Sequence, residues 1–530
     1  MLIHEIIEKN ALTMPDKEAL VFEGQRFSYR EVNERADMAA AGLIKLGVKR
    51  GDRVALLTGN KPEMIFCGFG CFKIGAMLQT VNYYYTDSET VYVLENGGAS
   101  TLILSDQYLK YNYAEKAPAF RPYLTDPKTI IVTGKTTPSG CLSYLETLQI
   151  PLDGEAKRTL DERKAAVAED DDAFLVYTGG TTGLPKGVLV SHRGRYAVDE
   201  SWTYALGLNS GDRYLLSMPL FHLLPWHIVV GTFMRGGTVV LTEAFNAKES
   251  LQLIEKEKIT CLLGVPTVYV YLNREPDIEK YNLSSLRLGI TGGDIFPKER
   301  FEESEKKLGG GFRLFNYFGL TEAAGDVTTV TFADPREKAV TTIGRPIPGF
   351  EVRIVDNNKN PLPPNEEGEI AVRASWFRGY FRNQKATDET FDKNGWLYTG
   401  DLGSIDVDGY VIYLGRKKDM FITGGNNVYP AEIELVLQNH PKILRATVLP
   451  VPDEVLGEVG RAYCVPKDGQ TLTQSELLSF CKQNMASIKV PKEFVVRDSL
   501  PLTDVGKIDK KALKKEIMEE KRPGSEKKNT

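Results

Sequence analysis

Short apolar, β-branched runs alternate with longer amphipathic stretches up to about Thr341, and this alternation restricts the fold more than any other feature. Arg53 to Leu57, Thr101 to Leu104, Thr129 to Val132, Thr238 to Leu241 and Leu286 to Thr291 read as strands, while Glu31 to Leu46 and Lys248 to Lys256 read as helices. Strands alternating with helices imply parallel sheets covered by helices, an α/β architecture. No period of about 20 to 50 residues recurs, which excludes a solenoid or propeller. Beyond Thr341 short strands (Val352 to Val355, Glu369 to Val372, Tyr410 to Leu414) alternate with turn-rich segments, as in a smaller β-rich subdomain. Ser404 to Leu414 reads as a hairpin around Asp408-Gly409. Its Asp-x-Asp-Gly fails as a calcium loop, because an EF-hand needs its glycine at position six rather than four.

The charged segment Gly415-Arg-Lys-Lys-Asp419 precedes a new α+β pattern. Ala431 to Gln438 reads as a helix, Arg445 to Pro450 and Arg461 to Val465 as strands, and Thr473 to Met485 as a helix opened by a Thr473-x-x-Glu476 capping box. Lys510 to Thr530 reads as a lysine- and glutamate-rich helix fraying into a polar tail. The expected organisation is an N-terminal domain over 1–415, with its β-rich subdomain at about 341–415, and a C-terminal domain over 416–530.

The charge balance, 66 basic against 71 acidic residues, argues against non-specific nucleic-acid binding, which needs a basic excess. Six cysteines in 530 residues cannot make a disulfide scaffold, and Cys67 and Cys71 read as small core residues at i and i+4. The longest apolar stretch, Ile65 to Leu78, is broken by Lys73 and holds three glycines, so it falls short of a membrane span. The first ten residues hold acids and no uninterrupted apolar core, and the last residues match no lipidation or retention signal. The expectation is a soluble protein of a reducing compartment, the cytoplasm, with no integral membrane segment; a homodimer is left open.

The strongest local signal runs from Phe174 to Val190: an apolar strand, a glycine- and threonine-rich loop with one lysine, then a second apolar strand. Gly179, Gly180 and Gly183 permit backbone amides to converge on one anion, Thr178, Thr181 and Thr182 add hydroxyl donors, and Lys186 adds a point charge. It is no Walker loop, which needs Gly-Lys-Ser/Thr leading into a helix. An ordinary glycine-rich hairpin is the competing reading; the absence of any acid in the loop favours a phosphate cradle.

The loop resembles the phosphate loop of the adenylate-forming superfamily, which includes acyl-CoA synthetases, peptide-synthetase adenylation domains and firefly luciferase. The resemblance continues in order: Asn316-Tyr-Phe-Gly-Leu-Thr-Glu322 is similar to the adenine motif, Trp396-Leu-Tyr-Thr-Gly-Asp401 to the ribose motif, Gly415 to Asp419 to the hinge, Ile422 to Pro430 to the motif beyond it, and Leu500 to Ile508 to the C-terminal lysine loop. This resemblance implies a large N-terminal domain of two helix-covered sheets plus a β-rich subdomain, with a small mobile α+β C-terminal domain. It further implies that a carboxylate joins the α-phosphate of ATP with loss of pyrophosphate, after which a thiol displaces AMP. On that basis Thr178 to Lys186 hold the β- and γ-phosphates, Glu322 binds Mg²⁺ and Thr321 meets the α-phosphate. Tyr317, Phe318 and the segment Gly292-Gly293-Asp294 border the adenine, though a tight turn explains that segment nearly as well. Asp401 accepts from the ribose hydroxyls with Arg416 as a second contact. Lys507 bridges carboxylate and α-phosphate, delivered by a domain swing about Lys418, and Gly424 and Gly425 approach the pantetheine arm of CoA. His222 falls where the family faces the acyl group, and a packed or capping histidine fits there too.

Three departures from the family pattern stand out: Gly179 replaces a frequent serine, Asn426 a frequent glutamate, and Asp504-Val505 a small polar pair. The chain has no Gly-x-Ser-x-Gly, no His-Glu-x-x-His and no Gly-x-Gly-x-x-Gly opening a βαβ unit, which leaves hydrolase, zinc and nicotinamide chemistry unsupported. Gly319 stands where acetate-activating relatives carry tryptophan, so an open pocket floor and a longer aliphatic or an aromatic acid are expected, with His222, Val265, Gly319 and Leu320 lining the acyl pocket. The expected activity is an acid:CoA ligase using ATP, CoA and a small carboxylic acid; the alternative is adenylation for a carrier protein or another non-CoA acceptor.

Overall fold

The computed structural model describes residues 1–108, 111–178, 184–293, 296–309, 311–423, 426–503 and 506–520. The apolar runs form strands buried along their whole length: Thr101–Ser105, Thr129–Thr133, Met77–Thr80, Cys261–Gly264 and Leu288–Gly292 show no exposed residue. Helices cover both faces of such strands, so their hydrophobicity is continuous rather than alternating.

Among the described residues these strands assemble into two large sheets. In the first, six parallel strands run in the order Arg313–Leu320, Leu288–Gly292, Cys261–Gly264, Arg213–Leu216, Thr238–Leu241 and Glu18–Phe22, with antiparallel strands added at both edges. In the second, Asp172–Thr178, Met77–Thr80, Arg53–Leu57, Thr101–Ser105 and Thr129–Thr133 lie parallel, and Lys186–Ser191 returns antiparallel beside Asp172–Thr178.

The apolar stretch around Cys67 and Cys71 is the helix Pro62–Ile74, buried along nearly its entire length, and both thiols are free and fully buried. It packs on the helix Tyr29–Lys45, whose Ala36, Ala39 and Ala40 allow close approach; a Cβ on Gly70 would sit 3.0 Å from that of Ala39. Lys73, fully buried, is neutralised by Glu8 at 2.7 Å and Asp37 at 2.9 Å, so the charge that broke the apolar run is an internal ion pair. No helix among the described residues is long and apolar enough to cross a membrane.

The β-rich region is a four-stranded antiparallel sheet of Glu351–Val355, Gly368–Arg373, Trp396–Ile405 and Val411–Arg416. The separate C-terminal domain carries its own sheet, starting at Phe421–Thr423 and dominated by the paired strands Ile443–Asp453 and Gly457–Pro466, with the helices Pro430–Gln438, Gln474–Asn484 and Lys510–Glu520. The strand expected to stop at Pro450 continues to Asp453 through Pro452. It lies at the sheet edge, where a missing amide donor breaks no ladder.

Candidate active site

The site forms where strands of both sheets end. Asp172–Thr178 and Lys186–Ser191 form a hairpin whose register pairs Thr178 with Lys186, and the Thr178 hydroxyl points to the Lys186 carbonyl at 3.5 Å. The loop residues Gly179, Gly180, Thr181, Thr182 and Gly183 lie outside the described residues, as do Asp294, Gly424 and Gly425.

Next to this hairpin, strand Arg313–Leu320 passes through Tyr317, Phe318, Gly319 and the half-buried Leu320 into a 3₁₀ turn over Thr321–Ala323, which presents Glu322. Tyr317 turns inward: it is 7% exposed, and a Cβ on Gly292 would lie 2.5 Å from its ring. Phe318 faces Tyr413, with ring centroids 6.4 Å apart. Gly319 does not open onto space. A Cβ there would lie 2.6 Å from the Gly325 carbonyl and 3.0 Å from Asp326 Oδ1, so the expectation of an open floor at this residue is corrected: glycine is needed for the close approach of the paired strand Gly325–Thr329. Gly319→Ala is therefore expected to cost about 1–3 kcal/mol by overpacking, read as a lower thermal midpoint.

Tyr380 is a site residue that sequence reasoning missed. Its hydroxyl donates to Glu322 Oε1 at 2.8 Å, and its ring lies 5.0 Å beneath the Lys186 ammonium. Backbone bonds place it there: Phe381 N donates to the Gly187 carbonyl at 2.7 Å and Leu189 N to that of Gly379 at 3.2 Å. Burial and the Glu322 charge raise the phenol pKa, so it remains a donor at any working pH. Tyr380→Phe frees the carboxylate while keeping the ring; we expect pyrophosphate exchange about tenfold slower, the worth of one charge-assisted hydrogen bond, with ATP affinity little changed by calorimetry.

Asp401 lies on strand Trp396–Ile405, paired in register with Arg416. It is 2% exposed, takes Arg416 Nε at 2.7 Å and is approached by the Tyr413 hydroxyl at 3.4 Å. Burial raises its pKa from 3.8 to about 6, against the pull of Arg416, Tyr413, Lys418 and Lys507. Burial and the repulsion of Arg416 lower the pKa of Lys418.

A cleft of about 830 Å³ separates the N-terminal body from the C-terminal domain, and His222, Gly293, Arg416, Lys418 and Lys507 line it. His222 stands at the N-cap position of the helix Leu223–Met234 without a side-chain capping bond, its ring 4.3 Å from that of Phe221, while Val265 is buried at the start of Pro266–Arg274. Gly293 follows the strand Leu288–Gly292 at φ +79°, and a Cβ there would fall 2.6 Å from Lys507 Nζ. The ammonium therefore sits against main chain that only glycine leaves open. Thr267 fixes the lysine loop by donating to the Gly506 carbonyl at 2.8 Å. Three further polar contacts hold the C-terminal domain: Arg300 Nη2 to the Ile443 carbonyl at 3.2 Å, Arg445 over the Tyr271 ring at 5.3 Å, and the ion pair of Arg274 with Asp468.

Arg416, Lys418 and Lys507 thus bring three cations to one cleft, with Asp401 joined to it through Arg416, an arrangement suited to anionic ligands. Comparison with known proteins agrees. Residues 7–381 match the family described as AMP-binding enzyme and residues 432–507 its C-terminal domain. A 3-[(3aS,4S,7aS)-7a-methyl-1,5-dioxo-octahydro-1H-inden-4-yl]propanoyl:CoA ligase of Rhodococcus jostii is 34% identical over 496 residues, 93% of this chain and 94% of its own. A feruloyl-CoA synthase of Amycolatopsis is 34% identical over 503 residues, 94% of this chain and 96% of its own. The crystal structure of the anthranilate CoA ligase AuaEII in complex with anthranoyl-AMP superposes with a TM-score of 0.89 at 26% identity, covering 98% of both chains. The chain belongs to the AMP-binding, adenylate-forming enzyme family that includes the acyl-CoA synthetases.

Proposed function

We propose that the protein is an ATP-dependent carboxylic acid:CoA ligase that forms an acyl-adenylate with release of pyrophosphate, then an acyl-CoA thioester and AMP. The observation carrying this reading is the placement of Lys507, whose ammonium reaches across the cleft to Gly293 at the end of a body strand. A cation there sits between two anions that must meet, the acid carboxylate and the α-phosphate, and reduces their repulsion as the new P–O bond forms and pyrophosphate leaves. Asp401 holds the ribose by accepting its hydroxyls, and Phe318 offers the adenine a flat apolar face. Lys186 and the Thr178 hydroxyl meet the departing phosphates.

Among the described residues no group of three or more His, Cys, Asp or Glu could hold a metal ion. A single carboxylate such as Glu322 suits Mg²⁺ arriving with the nucleotide, since that ion pairs one or two carboxylates with phosphate oxygens and water. There it would neutralise phosphate charge. For the second half-reaction Lys507 must withdraw so that the thiol can attack the acyl carbon. We place the pivot at Lys418, between the last strand of the body, ending at Arg416, and the first of the C-terminal sheet, beginning at Phe421.

The test is acid-dependent exchange of pyrophosphate into ATP, followed by mass detection of the thioester after adding CoA. Exchange without any thioester would assign the adenylate to another acceptor, and no exchange with any acid would end the ligase reading.

A further inference from the structure

Glu434 is a buried carboxylate on the helix Pro430–Gln438, 7% exposed, and it lines the cleft. Its Oε1 takes three donors at 2.8 Å each: Thr447 Oγ1 and Val448 N from the strand Ile443–Asp453, and Lys510 Nζ. A glutamine could accept the two neutral bonds with no charge to desolvate, so the carboxylate is needed only for Lys510. Burying such an ion pair costs desolvation that its attraction seldom more than offsets. The pair is therefore weak evidence of stability and suits a group that fixes a position.

The position it fixes is that of the lysine turn. Lys510 opens the helix Lys510–Glu520, three residues after Lys507, and the stretch between them has little slack. Thr503 N donates to the Lys507 carbonyl at 2.7 Å, Lys507 N to Thr503 Oγ1 at 3.2 Å, and Asp509 N to the Pro501 carbonyl at 2.8 Å. Asp509 Oδ1 then caps the helix, accepting from Lys511 N at 3.0 Å and Ala512 N at 3.1 Å. Leu513 and Ile517 bury the apolar face of that helix. One turn beyond Lys510, Lys514 lies on the same face and donates to Asp419 Oδ1 at 3.1 Å. Asp419 directly follows Lys418, the residue at which we place the pivot.

We propose that Glu434 and Lys510 are positioning residues for adenylation: their ion pair anchors the base of the lysine turn, so that the Lys507 ammonium reaches Gly293 as a rigid part of the C-terminal domain. This rests on the ligase reading and on the task given there to Lys507. Asp419 and Lys514 tie the same helix to the pivot, so a rotation about Lys418 carries the helix and Lys507 together. That second pair contributes less, because Lys514 is 38% exposed and solvent screens it.

The experiment measures acid-dependent pyrophosphate exchange by the full chain, with whichever of octanoate, benzoate and cinnamate it exchanges fastest. Lys510→Met keeps the alkyl stem and removes the charge. A misplacement of about 1 Å in a catalytic group costs up to about a hundredfold, so kcat for exchange is expected to fall about tenfold or more. KM for ATP and for the acid should stay within about twofold, as should thioester formation from supplied acyl-adenylate and CoA, since neither depends on where the Lys507 ammonium sits. Glu434→Gln, which keeps both neutral donors, should match Lys510→Met, and Lys510→Arg, which still offers a cation, should recover most of the loss. In a Lys507→Ala background Lys510→Met should cost nothing further, because it acts through the missing ammonium; an independent structural role would subtract again. Normal exchange in both Lys510→Met and Glu434→Gln overturns the inference, as do equal losses of exchange and thioester formation or full additivity with Lys507→Ala. Each of those outcomes leaves the ligase reading standing. Should Lys510→Met fail to fold by circular dichroism, Glu434→Gln and its combination with Lys507→Ala decide. Exchange by the unmodified protein with no acid at all would remove the ligase reading and this inference with it.

Discussion

Lys507→Ala is expected to reduce acid-dependent pyrophosphate exchange about a thousandfold while leaving thioester formation from supplied acyl-adenylate and CoA within a few-fold of normal. The asymmetry follows from where the charge is needed. In the first half-reaction two anions approach each other, and removing one preorganised donor aimed at such developing charge costs about 10²–10³ in rate; here the same group also aligns the attack, which adds to the loss. In the second half-reaction the acyl carbon is already activated and AMP leaves, so the ammonium has no anion pair to bridge. Exchange assays give the first rate and mass detection of acyl-CoA the second. Equal losses in both would show that the lysine supports the fold or a shared binding step rather than adenylation.

Asp401→Asn is expected to weaken ATP binding about a hundredfold or more, while the ligand-free protein becomes more resistant to heat at pH 8. Two charge-assisted hydrogen bonds to the ribose, each worth about 1.5–3 kcal/mol, account for the first effect. The second comes from the burial that raises the Asp401 pKa from 3.8 to about 6. The folded chain binds that proton more tightly than the unfolded chain does, so the stabilisation is complete below pH 3.8 and is lost as pH rises through about 6. Above that, holding the charged form costs about 3 kcal/mol, which the amide avoids. The gain in thermal midpoint should therefore shrink as the pH is brought below 6, and ATP affinity of the unmodified protein should fall over the same range, because the protonated acid loses an acceptor. Calorimetry for binding and thermal melts from pH 5 to 8 check both; unchanged ATP affinity in the asparagine variant would remove Asp401 from the ribose site.

Much of this was readable before any coordinates, for a physical reason. Strands such as Thr101–Ser105 and Thr238–Leu241 are covered on both faces, so apolar character alone marks them. The hairpin strands Asp172–Thr178 and Lys186–Ser191 announce themselves as apolar runs on either side of a glycine- and threonine-rich segment. What stayed hidden depends on pairing between distant segments. Tyr380 acquires its place only because 379–381 bonds to 187–189. Gly319 looked like an absent pocket wall, but the carbonyl of Gly325 occupies that space, a contact set by strand register.

The contacts between body and C-terminal domain bear on how turnover is timed. Thr267 with Gly506, Arg300 with Ile443 and Arg274 with Asp468 are all polar, and water can replace each at little net cost. Contacts of that kind by themselves do little to hold the C-terminal domain in one position. On the proposed ligase reading the bound anions would decide: triphosphate and carboxylate in the cleft would attract the lysine loop, and most of that attraction would go once pyrophosphate departs. The by-product's exit would then serve as the signal that admits the thiol.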